Sequence, residues 1–256
     1  MVLADQRRTG LRFGDSAVRL RLVQPEDIRR ALAAQFRYPF LSAGEHSVSK
    51  EVIAAYDPFT PQVEVLRGIR AQIMLRTLEV ARQEKAIAVV SAGRHEGRSW
   101  LTANLAVVFA QLGERTLVID ADLRNPRQDA LFGIENREGL SSVLAGRCSY
   151  EHAVQRVPGL NLSVLTAGPI PPNPQELLLG PALLPLLATA DRDFDMVLVD
   201  TPAALNADAY TLGARIGAAI LLTHRHQSRL VPVRRLTETL EQSGCVMLGA
   251  VMNSTR

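Results

Sequence analysis

From Lys85 onward the chain alternates short aliphatic runs with helical segments, and this pattern constrains its fold more than any other feature. Residues 86–91, 116–120, 160–165, 196–200, 218–223 and 246–252 are rich in Val, Ile and Leu and do not alternate apolar with polar. A strand that is apolar on both faces must be covered on both, the condition of a parallel sheet between two helix layers. Right-handed crossovers then predict a doubly wound α/β domain whose ligands sit beyond the carboxyl ends of the strands. Ser91, Asp120 and Asp200 all fall at such ends. Three motifs should therefore converge on one edge.

The first is Ala92-Gly93-Arg94-His95-Glu96-Gly97-Arg98-Ser99, between the first strand and a helix expected over 99–112. Backbone N–H groups at a helix N-terminus bind polyphosphate, Gly97 permits close approach, and Ser99 can offer a hydroxyl to Mg²⁺. The candidate nucleotide-binding residues are Gly93, Arg94, His95, Glu96, Gly97, Arg98, Ser99 and Trp100. This loop lacks the usual lysine. Arg98 stands in its place with the charge kept but a bulkier, planar head, and His95 stands where a second glycine is expected. Arg94 reads equally as a phosphate-reaching cation or a solvated loop charge.

The second motif, Leu117-Val118-Ile119-Asp120-Ala121-Asp122-Leu123-Arg124, ends an aliphatic strand in two acids. Such acids are costly at a turn unless a cation lies near, and Mg²⁺ held through water and phosphate oxygens supplies one. The third, Val197-Leu198-Val199-Asp200-Thr201-Pro202, is a Walker B arrangement. Ser99, Asp120 and Asp200 are the candidate Mg²⁺ residues. Asp122, Asp120 and Arg98 are the candidate catalytic ones, with Asp122 suited to accept a proton during phosphoryl transfer. No guanine-reading Asn-Lys-x-Asp is present, which points to ATP.

Charge adds little. Residues 1–85 carry 14 Lys/Arg against 10 Asp/Glu and the remainder 15 against 16, without a basic block, so no nucleic-acid partner is expected. Cys148 and Cys245 have no metal or redox spacing, and His224-x-His226 has no evident third ligand. The N-terminus does not read as a signal peptide, and the longest apolar run, 177–190, contains Pro181 and Pro185. The expectation is a soluble cytoplasmic chain.

Three regions are expected. Residues 1–45 form a small helical module, with Ile28, Ala31, Leu32 and Phe36 at near-helical spacing and a stop at Tyr38-Pro39-Phe40. This module resembles the helical N-terminal module of secretion and pilus assembly ATPases, and reads equally as a generic docking domain. Residues 46–84 form a linker, including Pro58 and Pro61 (Gly44 lies just before it), and a charged helix. Residues 85–256 form the nucleotide-binding domain.

On these motifs the chain, over about residues 50–256, resembles the bacterial tyrosine kinases (BY-kinases), and within them the exopolysaccharide chain-length-determinant kinases. The Asp120-x-Asp122-x-Arg124 strand fits the family's Walker A′ form, and 197–202 fits its Walker B. Residues 167–178 resemble a further family stretch, and Glu64-x-x-Arg67-x-x-Arg70 its ring-forming helix. The resemblance implies a MinD/ParA-like P-loop fold, ATP and Mg²⁺ as cofactors, and phosphoryl transfer to tyrosine. It further implies self-association into a ring through Glu64, Arg67 and Arg70. The implied partner is an inner-membrane polysaccharide co-polymerase, which would hold the chain peripherally at that membrane. Two departures stand out: the lysine-free loop, and a chain that stops at Asn253-Ser254-Thr255-Arg256 without a tyrosine cluster. They leave room for a non-catalytic, nucleotide-gated assembly subunit or a MinD/ParA-like positioning ATPase.

Overall fold

The computed structural model describes the chain except residues 26, 29–30, 32–34, 36–38, 42–46, 80–84, 206 and 255–256. The expected helix positions Leu32 and Phe36, the stop at Tyr38, Gly44 just before the expected linker and the last two residues lie outside the described ones. The chain divides into two compact units, Met1–Phe40 and Leu41–Arg256. In the smaller, α1 (Val2–Thr9) and α2 (Phe13–Arg19) are joined by Asp5, a buried carboxylate that accepts from Arg8 and Arg19.

The larger unit opens with α3 (Ile53–Tyr56) and α4 (Pro61–Glu79). Its strands are β1 (Ala86–Ser91), β2 (Thr116–Asp120), β3 (Val154–Arg156), β4 (Leu162–Leu165), β5 (Met196–Asp200), β6 (Ala218–His224) and β7 (Val246–Asn253). They form one sheet in the order β3-β4-β2-β5-β1-β6-β7, parallel throughout except for β3, which runs antiparallel to β4. Neighbouring residues serve opposite cores: Ile87, Val89 and Val118 pack into one, and Ala86, Ala88, Val90, Leu117 and Ile119 into the other. Burial on both faces explains why the runs of β1, β2, β4, β5 and β6 show no period of two, whereas β7, at the sheet edge, is largely half-buried or exposed. β3 has no such signature, because three partly exposed residues at an edge need no apolar run.

The stretch expected as linker from residue 46 is instead part of the larger unit, which begins at Leu41. Leu41, Val48, Val52, Ala54 and Ala55 are buried, and Val63, Leu66 and Ile73 of α4 join the same core. They cover α5 (Arg98–Ala110), the helix that follows the loop. Residues 101–110 of α5 are buried without exception, while Leu112, the last residue of the expected helix, lies beyond its end and is exposed. A helix apolar all round is one enclosed on every side. Buried side chains lock the cover in place: Asn104 Oδ1 accepts from the Ala54 amide at 3.0 Å, and Gln111 Nε2 donates to the Ala54 carbonyl at 2.8 Å.

Candidate active site

The carboxyl ends of β1, β2 and β5 meet at a cleft of about 520 Å³ lined by Arg94–Trp100, Asp122, Arg124–Arg127, Pro202, Ala203 and Leu205. The three expected motifs therefore share one edge. β2 and β5 are in register so that Asp120 pairs directly with Asp200. Both carboxylates are fully buried. Asp120 Oδ2 accepts main-chain N–H groups of Arg127 (3.0 Å) and Gln128 (2.9 Å), and its Oδ1 accepts that of Asp122 (3.2 Å). Burial, then the charge of Asp200, still holds Asp120 well above the usual carboxylate range. Burial pushes Asp200 up to about 6, against hydrogen bonds from Ser99 and Gln128 that act downward.

Asp122 lines the cleft and is nearly buried. Its Oδ1 accepts the amides of Asn125 (2.9 Å) and Arg124 (3.3 Å), which fixes the carboxylate on the turn. Burial raises its pKa, the direction that suits a proton acceptor.

The chemistry of these donors fits Mg²⁺. Asp200 Oδ1 is buried without a hydrogen-bond partner, and two adjacent buried acids repel unless a cation lies between or beside them. Among the described residues no three His, Cys, Asp or Glu side chains gather into a cage. A cation here would keep waters and phosphate oxygens as ligands, as Mg²⁺ does. The His224 ring Nδ1 lies 2.8 Å from the Arg225 carbonyl.

The loop departs from expectation. Arg98 turns inward: Nε donates to the Thr201 carbonyl (2.8 Å), and Nη1 donates to the Gly93 carbonyl (2.7 Å) and the Ser91 hydroxyl. The guanidinium thus staples the ends of β1 and β5 together. Its five donors in a fork reach three acceptors that a single ammonium could not satisfy at once. Glu96 is 3% exposed; its carboxylate accepts the Gly93 amide at 2.9 Å and the Ser228 hydroxyl. Asn253, at the end of β7, donates to the Glu96 carbonyl at 3.1 Å. Left-handed His95 (φ 58) and Gly97 (φ 99) complete the curl, and a Cβ at Gly97 would meet Asn253 at 2.7 Å. Arg94 and His95 stay exposed on the rim.

The helix carrying Glu64, Arg67 and Arg70 also spends its cations within the chain. Arg67 pairs with Glu64 (2.7 Å) and donates to the Pro58 carbonyl, and Arg70 donates to the Val108 carbonyl of α5. Of these three residues Glu64 projects outward, its side chain 71% exposed against 18% for Arg67.

Four site residues carried no signal in the sequence. Gln128, Ser228 and Asn253 are ordinary polar residues until the fold brings them to the loop or the acids. Asp208, at the start of a helix over Ala207–Ile216, is buried and receives Arg124 Nε at 2.7 Å.

No family model matches the chain. Tyrosine-protein kinase YwqD of Bacillus subtilis (strain 168) is 40% identical over 210 residues, 82% of this chain and 88% of that protein. The chain belongs to the bacterial tyrosine-protein kinases. The kinase domain of Escherichia coli tyrosine kinase ETK superposes with a TM-score of 0.75 at 31% identity, covering 80% of each chain. The Pyrococcus furiosus cell division ATPase MinD reaches 0.59 at 28% identity over 66% of this chain and 72% of that one. The kinase chain thus has the MinD-type P-loop fold expected of it. Among its described residues, no helix is long and apolar enough to cross a membrane.

Proposed function

We propose that the chain binds ATP with Mg²⁺ and transfers the γ-phosphoryl group to a tyrosyl hydroxyl. The observation that carries this reading is the shared edge: the loop, the cleft-lining Asp122 and the paired Asp120 and Asp200 lie together at the carboxyl ends of β1, β2 and β5. Loop amides and exposed Arg94 take the phosphates, and Ser99, Asp120 and Asp200 hold the cation, which neutralises charge on the transferring group. Asp122 accepts the tyrosyl proton. Arg98, engaged by Ser91, Gly93 and Thr201, sets the shape of the loop. Incubation with γ-labelled ATP tests the reading: label on tyrosine that disappears in Asp122→Asn supports it, and bound ATP with no transferred label overturns it.

The inward Arg98 also favours a second reading, a nucleotide-gated assembly subunit that binds without transfer. Either way, the resemblance supports a role in exopolysaccharide chain length beside an inner-membrane co-polymerase, with rings formed through exposed Glu64. Unchanged oligomer size in Glu64→Ala would remove the ring from both readings.

A further inference from the structure

One buried residue touches all three motifs. Gln128 lies at the start of a helix over Gln128–Phe132 and is fully buried. Its main-chain N–H donates to Asp120 Oδ2 at 2.9 Å, and its side-chain amide donates to Asp200 Oδ2 at 2.8 Å and to the Ser99 carbonyl at 3.1 Å. It therefore joins the β2 acid, the β5 acid and the first turn of α5. Its own Oε1 is buried without a hydrogen-bond partner, as is Asp200 Oδ1. A buried amide that leaves one acceptor unmet is costly, so its two donor bonds must be worth keeping.

We propose that Gln128 is a positioning residue for the cation of the nucleotide complex: it holds Asp200 by Oδ2, leaving Oδ1 as the oxygen available to the cation, and ties that carboxylate to Ser99. The inference rests on the Mg²⁺–nucleotide reading of this edge. A partner of this kind fixes the rotation of a metal-binding carboxylate, and losing one typically weakens metal binding. The side chain acts only through Asp200 and Ser99, because the bond to Asp120 comes from the main chain and survives substitution.

The test is ADP binding by calorimetry with and without Mg²⁺, on the full chain, with thermal melting alongside. In the natural chain Mg²⁺ tightens ADP binding. In Gln128→Leu and Gln128→Met, of similar volume, ADP affinity without Mg²⁺ stays within about twofold, while the tightening by Mg²⁺ falls about tenfold or more. Should both variants, or whichever of them folds, keep the full Mg²⁺ effect, Gln128 is only a packing residue and the proposal is overturned. An equal loss of affinity with and without Mg²⁺ overturns it too, since that marks general distortion of the loop. If Mg²⁺ has no effect on the natural chain, the nucleotide-site reading itself fails, and Gln128 with it.

Discussion

The acidic edge and the phosphate loop share one end of the sheet but are built on opposite logic. Asp120 and Asp200 end neighbouring strands in register, so the sheet itself sets their spacing, and main-chain donors fix Asp120 and Asp122. The loop has charged or ring-nitrogen side chains at four of its positions, Arg94, His95, Glu96 and Arg98, and splits them. Glu96 and Arg98 turn inward and hold the curl, whereas Arg94 and His95 remain on the rim. Position in a strand determines where an acid goes. Position in a loop does not, because nearby acceptors on other elements compete for the side chain.

The largest effect should come from the acidic side. Asp122→Asn keeps the shape and both amide contacts but cannot take up the tyrosyl proton, so phosphotyrosine formation should fall by about 10²–10⁴. ADP affinity and melting temperature should hold, because the buried charge is removed rather than a contact. A matching loss of ADP affinity would show that the two halves of the cleft are not separable in this way.

Arg98→Lys tests the other side. Lysine cannot serve Ser91, Gly93 and Thr201 together, and leaving a buried carbonyl unmet costs about 1–3 kcal/mol. Folding stability should drop by that amount in denaturant titration. The freed ammonium can instead reach phosphate, so turnover should rise on the order of tenfold. Lower stability without gained turnover would leave Arg98 a staple and nothing more.

How much of this the sequence disclosed follows the same division. The aliphatic runs announced six of the seven strands and the acids at their ends: five are doubly covered and have no alternative to a continuous apolar run, and β7 reads the same although it is partly exposed at the edge. The cover over α5 was hidden: Val48 stands alone between two serines, and Val52–Tyr56 is an apolar run of only five residues followed by Asp57-Pro58, so the stretch read as linker. The direction of Arg98 was hidden too, since its acceptors come from β1, the loop and the turn after β5. Gln128 and Asn253 gain meaning only from what the sheet order sets beside them.

The acids also predict a pH response that the loop should not share. A carboxyl whose pKa is raised in the folded state holds its proton more tightly there than in the unfolded chain. Folding is therefore favoured at low pH, and the penalty grows as pH rises from the unfolded value near 3.8 through the folded value of about 6 for Asp200. In the absence of nucleotide and Mg²⁺, stability should fall between pH 5 and pH 7 by on the order of 1 kcal/mol. Asp200→Asn should flatten that slope, and Arg98→Lys should leave most of it. A slope unchanged in Asp200→Asn would mean that the pairing with Asp120 carries the titration.

The smallest expected effect on nucleotide binding or turnover lies where the loop meets β6. Ser228 bridges two elements: its hydroxyl accepts the His224 amide at 2.7 Å and donates to the Glu96 carboxylate. Ser228→Ala removes both bonds but leaves Glu96 the Gly93 amide. The cost to stability should be about 1 kcal/mol for each of the two hydrogen bonds, the net worth of an ordinary one. Because Glu96 shapes the loop, ADP affinity should weaken by a few-fold in calorimetry, equally with and without Mg²⁺. That equality separates the loop from the acidic edge: a change confined to the Mg²⁺-dependent part of binding would show that the loop's brace and the acids work as one unit.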